Sequence, residues 1–489
     1  MVSDVGSART AARPHRSDSR PGLLVGTMSV VVLTVAILQT AVVPVLAVMA
    51  RQLEVSPVEV SWVVTANLLA AASSTPLLGR LADLHVKKRV LLAVLAVVMA
   101  GSVLGAVTSS LPLLIVARVL QGASFALYPI GVSILREELS EDRLIRAMAV
   151  LSGVLGFGGG VGLVITGLLM RGEASYHRVF WFTVAFLAVV IVAVVVVIPS
   201  RPRSTTGTVD WAGAAGLAAG LSLLLLATTQ GNVWGWTAGR TAAAGLGGAV
   251  LLALWWWWER RCDQPLVSTA MLARRPILLT NLATVAVGMG LYFAFLGLTG
   301  LVQSPKASGY GFGATVLQAS VVYLLPGALA GFLTALVSGR YIQRYGAQSV
   351  LAVGTAIGVV GFGILAVAHS AAWQVIGASL LINAYISLAY GALPTLVIQE
   401  VGIGETGVAT SINAIARTVG AALAAAIVAV LLSRNLTGYP PESSYTATFA
   451  LGAVTSLIGF VLIMASRPRL REVQPSDITD SRAMNAEWG

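Results

Sequence analysis

The sequence is short of charge. Asp, Glu, Lys and Arg make up 10% of its 489 residues and hydrophobic residues 57%, whereas a soluble domain carries about 25% charged residues. That composition cannot cover a surface facing water, but it can cover one facing lipid. Cysteine is nearly missing: Cys262 is the one present, so no internal disulfide can form. The four histidines, His15, His85, His177 and His369, are scattered through the tail and the loops, which leaves no ligand cluster for a metal. There is no HExxH, no GxSxG and no Walker loop, and a loose dinucleotide-like fingerprint at Gly309, Gly311 and Gly313 follows no strand. Neither an enzymatic activity nor a cofactor is expected. Alternating ten-residue segments are also lacking, which excludes a transmembrane β-barrel. The last shortage is of acid inside the apolar runs: each Asp and Glu lies in a tail, a loop or at the end of a run.

What is there instead is a series of long apolar runs, read as helices at roughly 23–50, 59–79, 90–109, 111–135, 146–170, 179–199, 211–229, 241–258, 277–302, 314–338, 349–368, 373–397, 408–432 and 446–466. Each can cross the hydrocarbon core as a helix, and helices satisfy their own backbone hydrogen bonds in lipid. The fold class is therefore an all-α membrane protein with about 14 transmembrane helices. Residues 1–22 are polar and Arg-rich and read as a disordered tail. The run after them is too long for the core of a signal peptide, so it reads as a retained first helix. If the N-terminus is cytoplasmic, inside segments carry 23 Lys and Arg and outside loops 6, which places both termini in the cytoplasm. The net charge of +11 thus reports membrane topology, and no nucleic-acid partner is expected. Trp255 to Trp258, followed by Glu259, Arg260 and Arg261, read as an interfacial aromatic belt with anchoring charges. Asn435-Leu436-Thr437 is a sequon. Usage rich in Ala, Gly, Val and Arg points to a high-GC bacterium.

The loop after the second run reads Gly79-Arg80-Leu81-Ala82-Asp83-Leu84-His85-Val86-Lys87-Lys88-Arg89. Gly79 lets two helices meet closely, Asp83 can cap a helix start or pair with a cation, and Lys87, Lys88 and Arg89 form a basic cluster. Such a loop can latch one face of a bundle; its bland alternative is an ordinary basic inside loop. The loop resembles the signature loop of the major facilitator superfamily, G-x-L-A-D-x-x-G-R-K, with Val86 in place of the second glycine. A degenerate copy, Gly339 to Gly346, follows the tenth run and lacks the acid. Arg118-Val119-Leu120-Gln121-Gly122 resembles the R-x-x-Q-G motif, which implies a coupling or substrate role for Arg118 and Gln121. The fifth run is glycine-dense, and Gly156, Gly162 and Gly167 are read as helix-packing positions; its antiporter motif lacks the usual proline, with Leu163 after Gly162. The number of runs, Asp210-Trp211-Ala212-Gly213 and Asn413 to Gly420 resemble the fourteen-helix drug:proton antiporter branch.

That resemblance implies a major facilitator fold: a six-helix bundle at 23–199, two linker helices with flanking loops at 200–275, a second six-helix bundle at 276–466 and a cytoplasmic tail at 467–489. It implies a monomer in the cell membrane that exports amphipathic small molecules or drugs by alternating access, with protons as a coupling partner. The residues do not support the proton: the acid usual in the first helix is replaced by Leu38, and the remaining acids, Asp83 and Glu59, lie near a membrane surface. The alternatives are a facilitator or lipid or metabolite permease without proton coupling, and a non-transporting membrane sensor. Polar and aromatic residues inside the runs are the candidate cavity lining: Gln39, Asn67, Tyr128, Asn281, Tyr292, Tyr323, Asn383, Tyr385, Asn413 and Arg417. Two cations without a deep acid favour an anionic or neutral amphipathic cargo.

Overall fold

The computed structural model describes residues 21–170, 174–202, 207–432 and 439–466. The two tails and the sequon at Asn435 lie outside the described residues. Among the described residues fourteen long helices run in order: α1 (Pro21–Thr40), α2 (Pro57–Leu84), α3 (Lys87–Val107), α4 (Leu111–Glu138), α5 (Glu141–Leu169), α6 (His177–Val197), α7 (Trp211–Trp234), α8 (Gly239–Glu259), α9 (Arg275–Gln303), α10 (Ala319–Tyr345), α11 (Ala347–Val367), α12 (Ala372–Gln399), α13 (Thr406–Leu432) and α14 (Glu442–Ala465). Thirteen of them are long and apolar enough to cross a membrane. The exception, α2, has 28 residues, or about 42 Å at the helical rise, against a hydrocarbon core of about 30 Å. Its lower hydropathy comes from Asn67, Ser73, Ser74 and Thr75, which it can carry because it packs against α4, α7 and α13.

Three runs depart from straight helices. The first, read as continuous over 23–50, ends at Thr40 and continues as a 3₁₀ turn (Val43–Val45) and a short helix (Leu46–Gln52). Pro44 sits in that turn, where its missing N–H interrupts the ladder. In α4 one 3₁₀ turn, Ala123–Ala126, interrupts the helix just after Gly122. The start of α10, Ala319–Leu324, is π-wound immediately before Pro326, a residue that cannot donate to the preceding turn.

The packing repeats with a shift of eight helices. In the first lobe α1 packs on α4, α5 and α6, α4 on α2 and α3, and α3 on α6. In the second, α9 packs on α12, α13 and α14, α12 on α10 and α11, and α11 on α14. The interface between lobes obeys the same exchange: α5 meets α10 and α12, and α13 meets α2 and α4. Two internally packed units facing each other through equivalent surfaces are the architecture in which one lobe can rock against the other. The hairpin α7–α8 lies outside this repeat, with α7 seated on α2 and α13.

The tryptophan run at the end of α8 is only partly a belt. Trp257 and Trp258 are exposed and Arg261 lies over the Trp257 ring at 3.9 Å. Trp255, however, is buried and donates to Glu259 Oε1 at 2.9 Å, while Trp258 donates to Asp210 Oδ2 at 3.0 Å. Glu259 is therefore buried, not an anchoring surface charge: the indole N–H groups draw the carboxylates at the ends of the hairpin inward.

Candidate functional site

The two lobes are tied at the end of the molecule that carries the basic loops. Asp83, at the end of α2, accepts the backbone N–H groups of Gly407 and Val408, each at 3.1 Å, and the Ser133 hydroxyl at 3.2 Å. A carboxylate thus sits on the first turn of α13, where free N–H groups and the helix dipole favour negative charge. Close approach is needed for this. A Cβ on Gly79 would lie 2.3 Å from Ser411 Oγ and 2.8 Å from the Gly407 carbonyl, and one on Gly407 2.7 Å from the Gly79 carbonyl. Arg136, near the end of α4, makes the complementary contact. Its guanidinium donates to the carbonyls of Ile398 at 3.2 Å, Val401 at 2.9 Å and Gly402 at 3.3 Å, and to the Thr406 hydroxyl. An anion on the start of α13 and a cation on the end of α12 therefore clamp both helices of the second lobe to the first. Sequence reasoning missed Arg136. Its signal was its position in the last turn of a helix, where a cation suits free carbonyls, but the two glutamates after it hid the partner.

The equivalent contact on the other side is weaker. There α10 meets α5, a Cβ on Gly339 would lie 2.9 Å from Arg146 Cα, and Gln343 donates to the Asp142 carbonyl at 2.6 Å. The missing acid of the second loop copy leaves this side as packing plus a neutral hydrogen bond. The basic cluster of the first loop is not part of the clamp, contrary to expectation. Lys87 pairs with Glu137, Lys88 donates to the Val195 carbonyl at 2.8 Å, and both contacts stay within the first lobe.

Between the lobes, about 16 Å along α13 from its start, lies Arg417. Its Cζ is 4.8 Å from the Tyr390 ring centroid in the second lobe and 5.8 Å from that of Tyr128 in the first. Arg417 takes part in no salt bridge among the described residues. Its guanidinium rests on two aromatic faces, an arrangement that stabilises the cation but leaves its in-plane N–H donors without a carboxylate. The rings are held in turn: the Tyr128 and Ser152 hydroxyls are 3.2 Å apart, and Ser152 donates to the Tyr390 carbonyl at 2.7 Å. The backbone at Arg417 is pinned by glycine contacts between α9 and α13, where a Cβ on Gly288 would lie 2.3 Å from the Arg417 carbonyl and one on Gly420 2.1 Å from that of Val285. This cluster, with Tyr390 added to the expected Tyr128 and Arg417, is the candidate site between the lobes.

Known proteins now bear on this arrangement. Residues 28–425 match the model of the Major Facilitator Superfamily. The chain belongs to the Major Facilitator Superfamily. Its relatives include the uridine/deoxyuridine transporter of Lactococcus lactis subsp. cremoris (strain MG1363), 27% identical over 80% of this chain and 82% of that protein. They also include the cephamycin export protein CmcT of Amycolatopsis lactamdurans, 27% identical over 86% and 87%, and the tetracenomycin C resistance and export protein of Streptomyces glaucescens, 27% identical over 89% and 80%. Among solved structures, the human organic anion transporter MFSD10 (TETRAN) superposes with a TM-score of 0.65 at 16% identity, covering 91% of this chain and 99% of that one. It shares the major facilitator fold.

The remaining expected residues divide between this superfamily member's centre and its scaffolding. Arg118 is 1% exposed and donates to the Leu38 carbonyl at 3.3 Å, the Val63 carbonyl at 3.1 Å and Gln121 Oε1 at 2.6 Å. Gln121 donates on to Ser102 at 2.9 Å, and Asn67 to the Arg118 carbonyl at 2.9 Å. This network joins α1, α2, α3 and α4 and engages Nε and Nη1 of Arg118, which separates it from Arg417, whose guanidinium rests on two aromatic rings. Asn413 donates to Asn281 at 3.1 Å and Thr284 at 2.7 Å, tying α13 to α9. Asn383 packs against Gly327 and Gly331 of α10. Gln39, Tyr292 and Tyr323 are half-buried, with the Tyr323 ring 5.4 Å from Phe312.

Three expectations are corrected. Tyr385 is fully buried within the second lobe, its ring filling the space left by Gly290 and Gly358, so it lines no cavity. Glu59 forms a capping box with Ser56 at the start of α2, accepting from the Ser56 amide at 2.8 Å; it is an exposed cap, not a coupling acid. Gly156 has nothing within 4 Å of an added Cβ, whereas Gly162 would meet Thr40 Oγ1 at 2.4 Å. Gly162 is therefore a packing position and Gly156 is not, and Gly167 meets only Leu317 at 3.5 Å.

Proposed function

We propose that this chain is an exporter of amphipathic small molecules with an anionic or neutral polar end, working by alternating access with both termini in the cytoplasm. The observation that carries the reading is Arg417: a guanidinium at mid-helix depth, between the lobes, stacked on one tyrosine from each and facing no carboxylate. An ionised group in that position is expensive unless a polar path or ligand accepts it, and a carboxylate, sulfonate or phosphate on the cargo would do so bidentately. The named antibiotic exporters among the relatives support the export direction. The Lys and Arg distribution supports a cytoplasmic basic face, so the clamp built on Asp83 and Arg136 would close the cytoplasmic side. Opening it would carry the Arg417 cluster to the other exposure.

A permease without proton coupling is the second reading, favoured by the absence of Asp and Glu from the middle of every apolar run. One assay tests both: flux in proteoliposomes of anionic, neutral and cationic amphipaths of matched apolar size, with and without a pH gradient. Preference for the anionic or neutral members supports the cargo assignment, and preference for the cationic ones refutes it. Flux that persists when the gradient is collapsed supports the uncoupled mechanism; flux that stops restores proton exchange.

A further inference from the structure

An open volume lies on the flank of the first lobe, away from the Arg417 cluster. It is a groove of about 670 Å³ between α2, α3 and α4. Its wall is almost wholly apolar, with Leu78, Val94, Val97, Val119 and Leu120 among the lining residues, and among the described residues no Asp or Glu borders it. One end opens at the basic face, where His85 and Arg89 form the rim; the other reaches Ala70, about 22 Å further along α2 at the helical rise. That length exceeds one leaflet's share of a hydrocarbon core of about 30 Å.

The rim residues differ in what they do. Of the three successive cations Lys87, Lys88 and Arg89, the first is paired with Glu137 and the second bonded to the Val195 carbonyl. The His85 ring is 3.1 Å from the Leu81 carbonyl. Arg89 is exposed, stands at the mouth of the groove and is in no salt bridge among the described residues. An apolar slot of leaflet depth, closed to acids and ending in an uncommitted guanidinium, is complementary to a chain with a phosphate at its end. The convex ridges of ordinary lipid-facing helices provide neither the slot nor the charge.

We propose that this groove seats an acyl chain of an anionic phospholipid from the leaflet on the basic side, with the headgroup phosphate on Arg89. A basic residue at the interface attracts anionic lipid, and the planar guanidinium binds phosphate through paired N–H donors. Zwitterionic lipid can fill the same slot but neutralises its own phosphate, so the structure implies a headgroup preference and not merely occupancy.

Native mass spectrometry of the full chain in mild detergent tests this, with phosphatidylglycerol and phosphatidylethanolamine of matched chains added in equal amounts. The wild type is expected to retain one phosphatidylglycerol in preference. Arg89→Gln should lower that retention about fivefold and leave phosphatidylethanolamine unchanged, while Arg89→Lys should keep most of the preference. Val97→Trp, at a position 41% exposed where an indole can enter the slot without disturbing the core, should remove retention of both lipids. Equal retention of the two lipids by the wild type would overturn the proposal, as would an undiminished preference in Arg89→Gln or a bound lipid in Val97→Trp. Displacement of the lipid, mole for mole, by a transported amphipath would also overturn it, by making the groove a cargo path.

Discussion

Replacing Asp83 by asparagine keeps the shape of the clamp and removes its charge. The carboxylate now accepts two backbone N–H bonds at 3.1 Å; an amide can accept one and turns its own N–H₂ toward the other. Hydrogen bonds to a charged group contribute about 1.5–3 kcal/mol each, and a charge on a helix N-terminus up to ~2 kcal/mol in a partly buried setting. Loss of one such bond with part of the dipole interaction gives about 2–3 kcal/mol. Because each 1.4 kcal/mol is tenfold, the ratio of clamped to open molecules should fall by roughly 30- to 140-fold. Double electron–electron resonance can read this directly. In a Cys262→Ser background, nitroxides at Ser140→Cys and Gln399→Cys would flank the interface at the ends of α4 and α12. The wild type should give one short distance population, and Asp83→Asn should add a longer one. An unchanged distribution would refute the reasoning, because it would mean that the two N–H bonds do not hold the lobes together.

Arg136→Ala should open the same end, since several carbonyl acceptors at the end of α12 lose their donor, and the same labels should show the longer distance. Gly79→Val should instead block clamping by steric contact with the Gly407 carbonyl, stopping transport while leaving the protein monodisperse on size-exclusion chromatography. Arg118→Met should lower thermal stability, since the buried Leu38 and Val63 carbonyls and Gln121 Oε1 lose their donor, at about 1–3 kcal/mol for a buried polar group left unsatisfied, and scanning fluorimetry should show it as a drop in melting temperature. Gly162→Ala should destabilise by contact with Thr40 and Ile37, and Gly156→Ala should be neutral in the same assay.

The fold was largely legible because membrane helices announce themselves by length and apolarity, and because the loop at Gly79 to Arg89 has a degenerate partner at Gly339. The ends were less so: Pro44 breaks the first run where hydropathy alone runs on, and Gly- and Ala-rich α7 extends to Trp234, beyond its expected end. At the site, the sequence pointed to Arg118 and Arg417 equally, because both are arginines within apolar runs. What separates them is whether neighbouring carbonyls reach the guanidinium, as Leu38 and Val63 do for Arg118. That depends on how α1 and α2 pack against α4, not on spacing along the chain. Tyr390 was not singled out along α12; its place against the Arg417 guanidinium brings it into the cluster, whereas Tyr385 fills the space beside Gly290 and Gly358. Arg136 was hidden because its partners, three carbonyls and one hydroxyl around the turn from α12 to α13, lie more than 250 positions away.

The most direct test of the central claim is the flux ratio of an anionic to an isosteric cationic amphipath in proteoliposomes, measured for wild type, Arg417→Lys and Arg417→Ala. If Arg417 receives the cargo's polar end, the wild type should favour the anion, lysine should retain part of the preference, and alanine should cut anion flux at least tenfold with little effect on the cation. An anion-to-cation ratio that does not change across the three proteins would contradict the account.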